Sequence, residues 1–233
     1  MTHTVLLHRL GSVPYELAWQ WQRETATALR EGRGPEALAL LQHPPVYPLG
    51  RRARPQHLLA DASTLQTRGA SVIEVDRGGD VTFHGPGQLV AYPILDLRRR
   101  GLGPSEYVRA LESVVIAALA RFGVAGERVP RRPGVWAGGG KIAAIGVRVQ
   151  GGVTTHGFAL NVDTDLRWFD AIVPCGLADV SVTSMARVLG QAPALTSVED
   201  AVADAFAAAF RSALREAEAS RTSAGGPIIS HGV

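Results

Sequence analysis

The run Lys141-Ile142-Ala143-Ala144-Ile145-Gly146-Val147-Arg148-Val149 and the run Val153-Thr154-Thr155-His156-Gly157-Phe158-Ala159-Leu160-Asn161-Val162 are both rich in β-branched and aromatic residues, and Gly151-Gly152 lies between them. Two such runs joined by a glycine pair read as a β-hairpin, because a tight hairpin turn needs positive φ at its central residues. Upstream, Tyr107, Ala110, Leu111, Val114, Val115, Ala118, Leu119 and Phe122 follow an i, i+3, i+4, i+7 spacing, which predicts a helix over Pro104 to Phe122 that Gly123 ends. Further outward, strands are predicted at Thr4–Leu10, Ala37–Gln42, Val72–Val75 and Gln88–Leu95, and a helix at Tyr15–Arg30. Pro93 puts the Gln88 strand near an edge or a bulge, and Pro44-Pro45 make the segment from His43 to Arg54 a surface loop. Downstream, a short helix covers Leu166–Ile172, and Ser197 with Asp200 reads as a capping box opening a last helix to about Glu218. Strands and helices alternate without regular βαβ order. The expected fold is therefore α/β of the α+β type, a mixed β-sheet packed by helices.

The 233 residues, 46% of them apolar, suit one domain with a substantial core, expected over residues 1–220 with a frayed tail at 221–233. No run approaches the roughly 18 apolar residues of a membrane span, and the first residues lack signal-peptide character, so a cytoplasmic protein is expected. A net charge of +3 is too small to mark a nucleic-acid partner. Three arginine clusters stand out: Arg51-Arg52-Arg54, Arg98-Arg99-Arg100 and Arg128-Arg131-Arg132. They read as solvated loops, with docking of an acidic protein as the sharper alternative. Of the 24 basic residues, 23 are arginine and Lys141 is the single lysine. Arginine cannot lose its proton in a protein, whereas a partly buried lysine can, so this exception points to chemistry at Lys141.

The unusual polar residues fall in three turn-rich segments: Arg77-Gly78-Gly79-Asp80-Val81-Thr82-Phe83-His84-Gly85-Pro86-Gly87-Gln88, then Gly138-Gly139-Gly140-Lys141, and Val173-Pro174-Cys175-Gly176. None has the glycine spacing of a phosphate loop. Cys175 is the only cysteine and lies outside any apolar periodic run. A nucleophilic thiolate needs a base or cation beside it, and the candidates are Lys141, His84 and His156, among which sequence does not choose. One cysteine and scattered histidines give no metal-ligand spacing, and neither metal nor cofactor is expected.

Together, Arg77-Gly78-Gly79 with His84-Gly85-Pro86-Gly87-Gln88, the Lys141–Val149 run, Thr155–Val162 and Pro174-Cys175-Gly176 resemble the octanoyltransferases of lipoate biosynthesis, in order and in spacing. His43-Pro44-Pro45-Val46-Tyr47 with Gly50-Arg51 extends the resemblance, which covers about residues 5 to 190; Pro48 and the triple glycine before Lys141 are local departures. The resemblance implies a fold like the catalytic domain of biotin and lipoate protein ligases. It implies that Cys175 takes the octanoyl group as a thioester and that Lys141 lowers its pKa and exchanges protons with it. It further implies that Arg77, Gly78, Gly79, Asp80, Val81, Thr82, Phe83, His84, Ala144, Ile145, Gly146, Gly157, Phe158 and Ala159 line the acyl chain and its carbonyl, with His156, Gln88 and Tyr92 as support. The implied donor is octanoyl-acyl carrier protein. The implied acceptors are lipoyl domains of 2-oxoacid dehydrogenase complexes and the glycine cleavage H protein. An eight-carbon chain has about six methylenes, whose burial at ~0.8 kcal/mol each offers roughly 5 kcal/mol toward binding. The runner-up is an ATP-dependent lipoate or biotin ligase of the same fold, against which Cys175 argues, since an adenylating ligase needs no covalent cysteine. A silent acyl-binding protein would need neither Cys175 nor Lys141, and a cysteine peptidase using Cys175 with His84 or His156 has little support.

Overall fold

The computed structural model describes residues 3–173 and 181–217. In chain order it contains β1 (His3–Ser12), α1 (Tyr15–Arg30), β2 (Glu36–Gln42), β3 (Val46–Leu49), α2 (Ala62–Thr67), β4 (Ser71–Glu74) and β5 (Gln88–Ile94). Then follow α3 (Pro104–Ala120), β6 (Glu127–Val129), β7 (Arg132–Ala137), β8 (Gly140–Gln150), β9 (Val153–Asn161), α4 (Met185–Leu189), α5 (Leu195–Ala209) and β10 (Ser212–Glu216). Short 3₁₀ turns occupy Pro55–His57 and Leu166–Ala171.

The predicted hairpin forms. β8 and β9 pair antiparallel from Ala143 opposite Leu160 to Gln150 opposite Val153, and Gly151 and Gly152 take φ of +57° and +81° at the turn. The hairpin sits within an eight-stranded mixed sheet of order β10-β1-β2-β5-β9-β8-β7-β6, in which β10, β1 and β2 run parallel and the other neighbours antiparallel. Because side chains alternate across a strand, β2 sends Leu38 and Leu40 to one face and Ala37, Ala39 and Leu41 to the other. The first face joins Leu89, Phe158 and Leu160 under α3 and α5. The second joins Val90, Tyr92, Ile94 and Ala159 beneath α1. The two-stranded sheet β3-β4 is separate and carries its own cluster of Tyr47, Leu65, Phe83 and Phe169.

Three readings need correction. The segment from His43 to Arg54 is not a plain surface loop: His43 is fully buried and Val46–Leu49 forms β3. Pro48 fits within this short strand because its carbonyl is the group in use, accepting from Thr82 N and Arg77 Nη2. Pro93 lies in a central strand, not at an edge, where the β5 ladder to β9 stops at Ala91 opposite Phe158 and His156 takes φ +57°. The register is the same on either side of that gap, from Ala91 opposite Phe158 to Asp96 opposite Val153, so the ladder is interrupted there without a bulge. The last helix starts after Ala194 and ends at Ala209, and Ser212–Glu216 is instead an edge strand beside β1. No glycine or proline marks that reversal; Arg211 makes it at φ +48°.

The arginine clusters also separate. Arg100 is buried against Glu36, with Nε donating to Oε1 at 2.9 Å, and Arg98 and Arg99 pair with Asp96, so this cluster is built into the fold. Arg128 pairs with Glu112 on α3. Arg51 and Arg52 are exposed and form no ion pair among the described residues. The boundary of the expected tail, residues 221–233, lies outside the described residues.

Candidate active site

A cleft of about 510 Å³, its mouth included, opens on the second face of the sheet. Its floor is Ala144, Ile145 and Gly146 of β8 with Gly157, Phe158 and Ala159 of β9. Its walls are Val90 and Tyr92 of β5, Tyr15 of α1, and Arg77, Gly79, Asp80, Val81, Thr82 and His84 of the connection before β5. The glycines keep the floor open and let neighbours close in. A Cβ on Gly157 would stand 2.1 Å from the Ala91 carbonyl oxygen. One on Gly146 would stand 3.0 Å from Arg77 Cδ.

Arg77 is buried, yet its guanidinium organises backbone. Nη1 donates to the carbonyls of Gly78 (3.1 Å) and Asp80 (2.8 Å), and Nη2 to that of Pro48 (2.8 Å). The Asp80 carboxylate accepts from Val81 N and meets His57 Nδ1 at 2.5 Å. The rim of the cleft is thus a fixed turn.

One end of the cleft is closed by a chain of buried rings. His43 Nδ1 lies 2.6 Å from the Val13 carbonyl, so it carries the proton, and Nε2 accepts from Tyr92 Oη at 2.7 Å. Tyr15 Oη lies 3.5 Å from His156 Nδ1, and His156 Nε2 donates to Asp76 at 2.8 Å. Burial pushes His43 down to about 4, His84 well below the usual imidazole range, and His156 down against the pull of Asp76. Burial raises both tyrosines. Asp76 is held down to about 2 by the hydrogen bond from His156. The end wall is therefore neutral imidazole and phenol at pH 7, backed by one carboxylate.

At the other end the cleft shares Val81, Thr82, Ala144 and Ala159 with a second chamber of about 340 Å³, lined also by Gln88, Lys141, Asn161, Phe169 and Val182. The β8 and β9 strands run from Lys141 and Asn161 here to Gly146 and Gly157 at the ring-lined end. Lys141 is 5% exposed, and its Nζ lies 5.3 Å from the centre of the Trp136 ring. Its amide donates to the Ser181 carbonyl and its carbonyl accepts from Thr183 N. Asn161 Nδ2 donates to the Thr183 carbonyl at 3.0 Å, Gln88 Nε2 donates to Asn161 Oδ1 at 2.8 Å, and Gln88 Oε1 accepts from His84 Nδ1 at 2.7 Å. Four buried side chains or backbones are thereby locked in one network. A lysine at the end of an apolar slot suits acid–base work on the head of a chain-like substrate.

Comparison with known proteins gives this geometry a context. Residues 14–207 match the family model "Lipoyl protein ligase A/B catalytic domain". The octanoyltransferase of Chloroflexus aurantiacus is 52% identical over 200 residues, covering 84% of this chain and 90% of that protein. The octanoyltransferase of Rubrobacter xylanophilus is 52% identical over 191 residues, covering 81% and 86%. The chain belongs to the octanoyltransferase family. It is an acyltransferase, within the wider lipoyl protein ligase A/B group. In fold it is similar to a bipartite lipoate protein ligase of Thermoplasma acidophilum, described with its E2 lipoyl domain (TM-score 0.69, 16% identity, 93% of this chain and 86% of that one). It is also similar to the biotin protein ligase of Aquifex aeolicus in complex with biotin and ATP (TM-score 0.53, 13% identity, 88% and 70%). The ligase-like fold implied by the sequence is thus the fold observed.

Within this octanoyltransferase the structure gathers Arg77, Gly79, Asp80, Val81, Thr82, His84, Ala144, Ile145, Gly146, Gly157, Phe158 and Ala159 around one cleft, with His156 and Tyr92 at its end. Gly78 and Phe83 stand apart from the lining. Gly78 bonds to Val147 through its amide, and Phe83 is buried against Trp168 and Phe169. Gln88 joins Lys141 in the second chamber. Cys175 lies outside the described residues. Sequence reasoning passed over Tyr15, Val90, Trp136, Phe169 and Val182 as site residues. Their only signal was apolar character, which core residues share; Asn161 was quoted in a motif but given no role.

Proposed function

We propose that this enzyme transfers an octanoyl or lipoyl group from an acyl carrier protein to the lysine of a lipoyl domain through a thioester on Cys175, the first step of endogenous protein lipoylation. One observation supports the reading above the others: the apolar slot of Val81, Val90, Ala144 and Ala159 opens into the chamber of Lys141 through shared walls. An acyl chain lying along β8 and β9 would bring its carbonyl to the one lysine of the chain. The Cys175 thiolate attacks the donor thioester, a new C–S bond forms, and the carrier thiolate leaves with a proton from the Lys141 ammonium. The amine of the acceptor lysine then attacks the acyl-enzyme, Lys141 takes the amine proton, and the Cys175 thiolate departs as the amide forms. The first step thus leaves the thioester and a neutral Lys141 amine, and the second restores the ammonium and the thiolate. Glycine N–H groups beside Cys175 or Lys141 would hold the oxyanion. Thioester exchange is nearly balanced in free energy, so no ATP is required. The acceptors are the lipoyl domains of 2-oxoacid dehydrogenase complexes and the glycine cleavage H protein.

Intact-protein mass after incubation with octanoyl-acyl carrier protein tests this. The expected result is one hydroxylamine-labile adduct of about 126 Da on Cys175, absent from Cys175→Ser together with transfer. An adduct that survives that replacement overturns the nucleophile, and activity with free octanoate plus ATP alone would favour a ligase.

A further inference from the structure

We infer that Trp136 is a positioning residue for acyl transfer, its indole face holding the Lys141 side chain across Gly134 at the head of the slot. This rests on the reading of Lys141 as the acid–base group. Trp136 and Lys141 are direct partners across the β7–β8 ladder, just after a bulge between Val135 and Trp136, and Lys141 Nζ is 5.3 Å from the ring centre. Residues directly opposite on an antiparallel pair project to the same face, so the contact follows from register and not from chance side-chain choice. Gly134 takes φ +123°, and a Cβ there would lie 3.3 Å from Lys141 Cε, 3.6 Å from Nζ and 2.5 Å from the Ala143 carbonyl oxygen. The bare backbone of Gly134 is the bed that the lysine stem crosses.

The indole itself carries a further sign. Trp136 is 7% exposed, and its Nε1 is buried without a hydrogen-bond partner among the described residues. A phenylalanine or leucine would avoid that unpaired donor, so the polar edge does not explain the residue, whereas the face does. Tryptophan offers an ammonium the strongest π-face of the natural side chains. It also accepts no proton. A carboxylate in the same place would compete with both the thiol and the incoming amine for the proton that Lys141 carries, while a ring orients the ammonium without entering the transfer. Among the described residues, other charged or titratable groups also lie near this arrangement. Arg132 on β7 lies 5.9 Å from the same ring. Glu112 on α3 accepts from Gly134 N at 3.2 Å and from Arg128 Nε at 2.9 Å, and His84 is turned to Gln88.

The single lysine makes the test direct. Protein grown with ¹³C,¹⁵N-lysine gives one set of side-chain resonances, all from Lys141. The Hε protons of the unaltered enzyme are expected well upfield of an exposed lysine by the ring current, with Trp136→Phe keeping part of the displacement and Trp136→Leu none. Single-turnover transfer should fall about 3–30-fold in Trp136→Leu at unchanged KM for the acyl donor, and less than about 3-fold in Trp136→Phe. Hε protons at ordinary shifts in the unaltered enzyme overturn the inference whether or not any variant folds. So does a folded Trp136→Leu with an unchanged single-turnover rate while Lys141→Ala is inactive. Full transfer by Lys141→Ala would instead remove the reading of Lys141 on which the inference stands.

Discussion

The amide of Lys141 donates to the carbonyl of Ser181 at 2.9 Å, and the Thr183 amide returns the bond to the Lys141 carbonyl at 3.0 Å. The lysine at the head of the cleft and the chain that follows residue 180 are therefore one backbone unit. Asn161 extends it by holding the Thr183 carbonyl. Motion of the segment after residue 180 without motion of Lys141 would break hydrogen bonds to the buried Lys141, Asn161 and Thr183, each with a net worth of about 1 kcal/mol.

Because both backbone groups of Lys141 are fixed from outside its side chain, Lys141→Arg and Lys141→Ala should alter chemistry more than backbone position. Arginine keeps the charge but has no accessible neutral form, so single-turnover transfer is expected to fall about 10²–10⁴-fold in both variants. The guanidinium is also bulkier than the bed over Gly134. Rescue therefore separates proton transfer from fit: a small primary alkylamine should restore part of the rate in Lys141→Ala, rising with the amine's basicity. Near-normal transfer by Lys141→Arg would show that charge suffices.

How much of this was legible in the sequence depends on the kind of signal. The β8–β9 hairpin, α1 and α3 were readable because period and turn chemistry are local properties of the chain. The β3 strand was hidden by Pro44, Pro45 and Pro48, whose missing amides are harmless in a two-stranded sheet that uses the Pro48 carbonyl. The boundary between α5 and β10 was hidden for the opposite reason: Ala-rich sequence continues through Phe210 and Arg211 with no breaker, and only pairing with β1 makes Ser212–Glu216 extended. At the site, glycine-rich blocks pointed to the cleft, whereas Tyr15 and Trp136 reach it from α1 and β7 as members of apolar runs. Long-range placement decides their role, and no local pattern records it.

The buried imidazoles make stability depend on pH in a definite direction. His43 is lowered to about 4, and His84 and His156 are also lowered, all by burial. An unfolded histidine titrates near 6.5, so between that value and the folded one the unfolded chain binds more protons. Stability is then fully present above about pH 6.5 and lost as pH falls toward 4, with His43 alone worth on the order of 3 kcal/mol across the window. Asp76, lowered to about 2, acts in a lower window: its contribution is present above about pH 4 and lost as pH falls through 2. Urea unfolding at steps from pH 7.5 to 4.5 should show midpoints that fall with pH. Midpoints that stay level over that range would show that the rings titrate normally in the fold.

The floor glycine Gly146 offers a test of the slot as an acyl site. A methyl there meets Arg77 Cδ at 3.0 Å and the Gly78 carbonyl oxygen at 3.2 Å, so both the Arg77 stem and the Gly78 peptide must give by a few tenths of an ångström while the ring-lined end loses volume. Gly146→Ala is expected to fold and to discriminate against long chains. Each methylene displaced forfeits about 0.8 kcal/mol, roughly fourfold in kcat/KM, so octanoyl should lose several-fold more than hexanoyl. Equal losses for six- and eight-carbon donors would place the chain end elsewhere.

The arginine clusters divide by environment, and charge reversal should expose the division. Arg100 is buried against Glu36 and also donates to the Phe210 carbonyl at 2.8 Å, so it ties the β2, β5 and β10 regions together. Removing it leaves Glu36 buried without its guanidinium, and Arg100→Ala is expected to lose about 3–5 kcal/mol of stability. Arg51 and Arg52 are exposed, and their amides bond to the carbonyls of Arg77 and Gly79, the rim of the cleft. Exposed charges on a rim steer an acidic partner and contribute little to folding. The double variant Arg51→Glu, Arg52→Glu should therefore melt like the unaltered enzyme, within about 0.5 kcal/mol, yet show a raised KM for an acidic acyl donor at low salt. The difference should shrink as ionic strength approaches 1 M, where the screening length falls to about 3 Å. Arg131 provides the comparison, because the groove it lines with Pro104, Val108 and Arg109 belongs to α3, on the face of the sheet opposite the cleft. Arg131→Glu should leave the donor KM unchanged. If Arg131→Glu raises that KM and the Arg51, Arg52 variant does not, the donor approaches over α3 and the rim cluster is solvated surface.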